Sequence, residues 1–309
     1  MHECDIMTGL FAYGKLDVLF TGTHDTVAQA EKLDYEGWSN EGKKAWNIRS
    51  ILQDIGKHKG NLDLVFLTGN SYDWARGRII ENFALYGIPN VNVIVISENG
   101  LVAQSRDDGV YWVASPSEEY NRALEEMERK IYHTFNGLFW VQGNMRRTTF
   151  KPVSSYLDFD EEFVPHAIEI ARDYGILPFD IERGFGDETG IIYHHRGSSI
   201  DIDPRKVRIK KDGEEIELDF KGKETAVNML SEMQNYESLA CIARAENDYP
   251  MINAVDGKGG IIYLPFDHRF SDEDIENFKS KFRIQITSDT QNILCSVLRT
   301  YLQDEGDTK

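Results

Sequence analysis

Short apolar runs closed by small polar residues set the plan of this chain. Residues 16–21, 62–67 and 91–97 read as buried strands, the second as Leu-Asp-Leu-Val-Phe-Leu and the third as Val-Asn-Val-Ile-Val-Ile-Ser. Between them, residues 43–56 carry Trp46, Ile48, Ile51, Leu52 and Ile55 near helical spacing. Residues 71–86 read as a helix with Ser71 as its N-cap. Strand–helix–strand–helix–strand is the rhythm of a parallel sheet with crossover helices.

The middle of the chain has a different texture. Residues 118–135 form a charged amphipathic helix pattern, and 138–156 are β-like with a basic cluster, Arg146, Arg147 and Lys151. Residues 161–174 read as another helix. Residues 190–208 read as two strands about the turn Arg196-Gly197-Ser198, with alternation in Ser199-Ile200-Asp201-Ile202-Asp203. The first pattern then returns: a helix over 223–233, a strand over 239–242, a turn from Arg244 to Pro250, a strand over 260–264, and helices over 272–282 and 288–302. The expected fold class is α/β, a Rossmann-like parallel-sheet core with an inserted α/β cap. Residues 1–102 and 207–309 are assigned to the core and 103–206 to the cap.

Composition narrows the function classes. The 309 residues carry a formal charge of -18, which opposes binding to nucleic acid or an anionic membrane surface. With 41% hydrophobic residues the chain can bury a full core. Three distant cysteines, Cys4, Cys241 and Cys295, suggest reduced thiols rather than a disulfide framework. Residues 1–15 lack the pattern of a signal peptide, and no apolar run reaches the roughly 20 residues of a membrane span. The expectation is a soluble, cytoplasmic protein. His194 and His195, as strand neighbours, face opposite sides, and His268 stands apart, so no metal-ligand pair is evident. Gly222-Lys223-Glu224-Thr225 lacks the leading glycine of a phosphate loop.

Five marks in order carry more information. They are Phe20-Thr21 leading to Asp25-Thr26, Thr68-Gly69-Asn70, Glu98-Asn99-Gly100, Lys223 with Ala226-Val227-Asn228, and Asn247-Asp248-Tyr249-Pro250-Met251. On these the chain resembles the haloacid dehalogenase-like phosphatase superfamily. It is most similar to the branch with a large α/β cap, which includes archaeal phosphoglycolate phosphatases and sucrose-phosphate phosphatases. The resemblance implies a nucleophilic Asp on the first loop, an acid/base Asp two residues on, a hydroxyl and a Lys that hold phosphoryl oxygens, and a carboxylate loop for Mg²⁺. Carried onto this chain, Thr68, with Gly69 and Asn70, matches the hydroxyl loop, Lys223 the amine, and Asp248 the last metal carboxylate.

Three positions depart from that pattern. Gly22 stands at the nucleophile, His24 at the acid/base, and Ala243-Arg244 where Gly-Asp opens the metal loop. No aspartyl-phosphate can form on a glycine, and a guanidinium repels a divalent cation but can hold phosphate by itself. Arg244, Lys223 and Thr68 are therefore read as a metal-free anion pocket. Arg244 can alternatively pair with Glu246 or Asp248, Thr68 can cap the following helix, and Lys223 can be solvated. His24 can be a substitute acid or a hydrogen-bonded loop residue. The cluster Arg146, Arg147 and Lys151 can be a solvated strand face; since the cap of the resembled phosphatases faces the cleft, the resemblance implies that it can equally grip an anionic ligand or partner.

The leading expectation is a pseudophosphatase that binds a phosphorylated small molecule or a protein partner, with no cofactor. The alternatives are an active Mg²⁺-dependent phosphatase with altered residues and a structural or assembly subunit. Neither nucleic acid nor membrane is an expected partner.

Overall fold

The computed structural model describes residues 16–22, 62–80, 91–105, 109–135, 139–142, 148–152, 169–170, 173, 191–194, 199–204, 206–211, 213–244, 248–265, 270–281, 284–287, 294 and 297. Among them, eight strands form one sheet. In chain order its strands are β1 (Val18–Gly22), β2 (Leu62–Leu67), β3 (Val91–Ser97), β4 (Val102–Ser105), β5 (Gly109–Val113), β12 (Leu239–Ile242), β13 (Ile261–Pro265) and β14 (Ile284–Thr287). Their spatial order is β14-β13-β12-β1-β2-β3-β4-β5. Every pairing from β14 to β3 is parallel, while β3–β4 and β4–β5 are antiparallel.

Period-2 geometry explains why the central strands are apolar on both faces. Val18 and Phe20 of β1, Val65 and Leu67 of β2, and Ile94 and Ile96 of β3 enter one core cluster. Their neighbours Leu19, Leu64, Phe66, Val93 and Val95 enter the other. The first cluster is closed by α3 (Lys223–Gln234), α4 (Tyr249–Asp256) and α5 (Asp272–Lys281), through Ala226, Val227 and Leu230, Met251 and Ile252, and Ile275 and Phe278. The second receives Ala75 of α1 (Tyr72–Ala75), Ile79, and the helical residues Leu294 and Val297. Helices on both faces of a mostly parallel sheet make this a Rossmann-like α/β fold.

The smaller sheet, in the order β6-β7-β9-β8, is antiparallel. It comprises β6 (Phe139–Gln142), β7 (Thr148–Pro152), β8 (Ile191–His194) and β9 (Ser199–Ile202). The helix α2 (Glu118–Thr134) precedes it. Ser117 caps α2 by accepting from the Tyr120 amide, and Leu124, Met127 and Ile131 form its buried stripe. A hairpin, β10 (Lys206–Lys211) and β11 (Glu214–Asp219), returns the chain to the large sheet. Val207 and Ile209 join the first core cluster, and Ser115 and Arg208 exchange main-chain hydrogen bonds.

Several sequence expectations need adjustment. The large sheet runs beyond residue 102, through β4 and β5. In the expected helix over 71–86, Ser71 does accept from Trp74, but α1 passes after one turn into a wider π turn, Arg76–Ile80, around Gly77. The expected turn ending at Pro250 instead opens α4, where proline fits the first helical turn because no intrahelical partner is required of it. Strand β14 follows α5 directly. The expected helix over 43–56, and most of that over 288–302, lie outside the described residues. Among the described residues no helix is long and apolar enough to cross a membrane.

Candidate functional site

Parallel register brings the carboxyl ends of the central strands to one level. Gly22 at the tip of β1 pairs with Leu67, so Thr68 is the next residue on its flank. Thr21 pairs with Ile242 on the other side, just before Ala243 and Arg244. A β-carbon built on Gly22 would stand 3.4 and 3.6 Å from the two carboxylate oxygens of Asp248. The first strand tip and Asp248 therefore converge. The crevice beyond the carboxyl ends of a parallel sheet is where open α/β folds bind ligands.

Asp248 occupies the N-cap position of α4 but does not cap it. Its carboxylate turns instead toward the strand tips. The Lys223 ammonium donates to Oδ1 at 2.7 Å and the Arg244 main-chain amide donates to Oδ2 at 3.0 Å. The Lys223 and Asp248 side chains are only 8% and 7% exposed, so the pair is desolvated. An ion pair with that little water pays a large desolvation cost, and losing either partner strands the other charge.

Lys223 is held there by unusual backbone. Glu98, Asn99 and Gly100 all have left-handed φ values, 52°, 55° and 116°. Gly222, the N-cap of α3, is left-handed too, at 56°. A β-carbon on Gly100 would stand 2.8 Å from the Gly222 carbonyl oxygen and 2.9 Å from the Ala226 Cβ. Only glycine lets the loop after β3 seat directly on the start of α3. In place of a side-chain cap at Gly222, the Thr225 hydroxyl accepts from the Lys221 amide at 2.8 Å.

The loops after β2 and β3 are stitched together. The Asn99 amide donates to the Thr68 carbonyl, the Glu98 amide to the Asn70 carbonyl, and the Tyr72 amide to Oε1 of the fully buried Glu98. Thr68 Oγ1 accepts from the Asn70 amide at 3.1 Å. Buried Asn99 donates through Nδ2 to Oδ2 of buried Asp203 at 2.9 Å. Glu98 and Asn99, non-glycine residues at left-handed φ, are thus held by bonds to Thr68, Asn70, Tyr72 and Asp203, and backbone of this kind persists only where its surroundings fix it.

The structure thus gathers Gly22, Thr68 with Gly69 and Asn70, Lys223, Arg244 and Asp248 at one end of the sheet. His24, Arg146 and Arg147 lie outside the described residues. Of Lys151 the backbone is described: it sits in β7, opposite Trp140. Sequence reasoning did not single out Asp203. Its only signal was the Ile-Asp-Ile-Asp alternation, whose last acid points into the molecule instead of out of it. Cys241, on β12 beneath the site, is wholly buried. Burial, and secondarily the nearby Asp248, push its thiol well above the ordinary range.

No protein-family model and no curated protein matches the sequence. Solved structures do match it in shape. A phosphatase of the haloalkanoate (HAD) enzyme superfamily from Bacteroides thetaiotaomicron superposes with a TM-score of 0.52 at 13% identity, over 95% of this chain and 98% of that one. This chain has the haloacid dehalogenase-like fold. The C-terminal domain of a trehalose synthase regulatory protein from Candida albicans gives 0.54 at 11% identity, over 93% of this chain and 94% of that one. At such identities the likeness is one of fold.

The haloacid dehalogenase-like fold raises the question of Mg²⁺. That ion asks for several hard oxygen ligands in near-octahedral order. Gly22 offers no side chain, and both oxygens of Asp248 already accept hydrogen bonds, one from an ammonium. Among the described residues no group of three or more His, Cys, Asp or Glu assembles. The described donor set does not fit a divalent cation.

Proposed function

We propose that this chain is a pseudophosphatase, a haloacid dehalogenase-like scaffold that binds a phosphorylated ligand or partner and does not hydrolyse it. One observation carries the reading. Where a nucleophilic carboxylate would project, Gly22 presents bare backbone to Asp248, and Asp248 is neutralised by Lys223. Covalent phosphoryl transfer needs a nucleophile on that strand tip, and glycine has none to give.

What supports binding is the set of donors gathered at the same crevice. Lys223 brings an ammonium to the strand tips, and Arg244 follows the end of β12 beside them. An ammonium has three N–H donors, of which Asp248 Oδ1 takes one, and a guanidinium can meet an oxyanion with two parallel bonds. Thr68 supplies a hydroxyl at the same level. Arg146, Arg147 and Lys151 belong to this reading as the cap's grip on an anionic ligand. A second reading is favoured by the commitment of Lys223 to Asp248: the pair is structural, and the chain serves as an assembly subunit with an idle cleft.

Two measurements separate these readings from catalysis. Sugar phosphates and inorganic phosphate are expected to raise the melting temperature, with p-nitrophenyl phosphate left intact in Mg²⁺. Hydrolysis above that of the Lys223→Ala variant overturns the proposal in favour of an active phosphatase. No thermal shift with any phosphate ester, together with a stable co-purifying protein, favours the assembly subunit.

A further inference from the structure

The misfit between this site and a divalent cation has a positive counterpart. We propose that Lys223 is the resident counter-ion of Asp248, an ammonium built into the chain where an acid at position 22 would demand a metal ion. Gly22 and Lys223 then form one electrostatic unit, and the site is closed to divalent cations. The inference concerns charge balance and stands whether or not the crevice holds a phosphorylated ligand.

The geometry supplies the argument. Lys223 Nζ lies 2.7 Å from Asp248 Oδ1, and the Arg244 amide lies 3.0 Å from Oδ2. The same two oxygens are 3.4 and 3.6 Å from the place a β-carbon would take on Gly22. The position is open to a small side chain, so space alone does not dictate glycine. Charge does. A carboxylate on residue 22 would face a second carboxylate at contact range in a desolvated place. Two like charges at that range repel strongly where little water screens them. One ammonium balances one carboxylate and leaves the other uncompensated. A second cation would have to enter with the second acid. With glycine at 22, the single Lys223 suffices. A divalent ion would have to compete with that ammonium for Asp248.

The test uses the full-length protein and Mn²⁺ as probe, read by its electron paramagnetic resonance signal and by thermal unfolding. The wild type and Asp248→Asn are expected to bind Mn²⁺ to the same extent, and the wild type is expected to melt at one temperature in EDTA and in Mn²⁺. One additional Mn²⁺ bound by the wild type over Asp248→Asn overturns the inference, and this comparison requires no change at Gly22. Gly22→Asp is expected to melt lower in EDTA and to regain stability as Mn²⁺ is added. Gly22→Ser, which fills the same space without charge, is expected to show no metal dependence. Lys223→Met is expected to acquire a Mn²⁺-dependent rise in melting temperature. A Gly22→Asp variant that melts identically with and without Mn²⁺ contradicts the proposed unit.

Discussion

The two ends of the large sheet satisfy their aspartates in different ways. At the carboxyl end, Asp248 is paired with an ammonium in a desolvated pocket. At the opposite end, Asp17 accepts from the main-chain amides of Glu237 and Ser238, both at 3.0 Å, and Asp63 accepts from the Tyr236 hydroxyl. The foot of the sheet thus uses neutral donors, which cost little to bury and fix the α3–β12 connection in place. The tip uses a full ion pair, the expensive solution, which well-packed apolar residues could often replace without loss.

Breaking the ion pair is expected to have the largest effect. Lys223→Ala or Asp248→Ala strands a buried charge and is expected to lower stability by about 3–5 kcal/mol in urea unfolding. The double variant Lys223→Met/Asp248→Leu is expected to recover most of that loss, since no charge is then left alone. Full additivity of the two single losses would contradict the pairing.

Next comes the backbone that seats Lys223. Gly100→Ala places a β-carbon at a φ of 116° and against the Gly222 carbonyl. It is expected to cost about 1–3 kcal/mol. It should also weaken phosphate-dependent stabilisation, because the start of α3 must move. A thermal shift with and without phosphate reads both effects.

At the foot, Tyr236→Phe removes the phenol donor from the Asp63 carboxylate and is expected to cost about 1.5–2 kcal/mol near neutral pH. The pH dependence sharpens the contrast. Burial, then the hydrogen bond to Asp63, hold the Tyr236 hydroxyl far above its ordinary range. The folded state therefore favours the protonated phenol. Its contribution is intact below the unfolded value of about 10 and declines as pH rises through and beyond it, where the unfolded chain releases the proton first. Tyr236→Phe is expected to lessen the loss of stability between neutral and strongly alkaline pH.

The smallest effect is kinetic. Cys241 lies beneath the tip and its thiol is pushed upward by burial, so iodoacetamide is expected to leave it unmodified in the native protein and to label it in urea. Peptide mass spectrometry distinguishes it from Cys4 and Cys295. Native labelling of Cys241 would show that the floor of the crevice opens.

Much of this architecture was readable before any coordinates. Strands β2, β3 and β12 were legible to the residue, because a strand buried on both faces is a continuous apolar run with sharp ends. The convergence of Gly22, Thr68, Lys223 and Asp248 was legible from the order of the loops, since parallel strands place their carboxyl tips together. Strands β5 and β11 were not, because a half-exposed strand mixes polar and apolar residues as any loop does. The pairing of Lys223 with Asp248 was not legible either. The two are 25 positions apart in the sequence, and spacing carries no distance between loops. Charge alone makes Arg244 a candidate partner for Asp248, but the bond between them comes from its main-chain amide, which any residue but proline supplies.

The central claim is that this crevice holds phosphate esters and leaves them whole. Phosphorus NMR of a sugar phosphate mixed with the full-length protein in Mg²⁺ tests both halves at once. The account predicts an ester signal that broadens or shifts with protein, does so less with Lys223→Ala, and yields no inorganic phosphate over time. Growth of an inorganic phosphate signal that Lys223→Ala abolishes would contradict it.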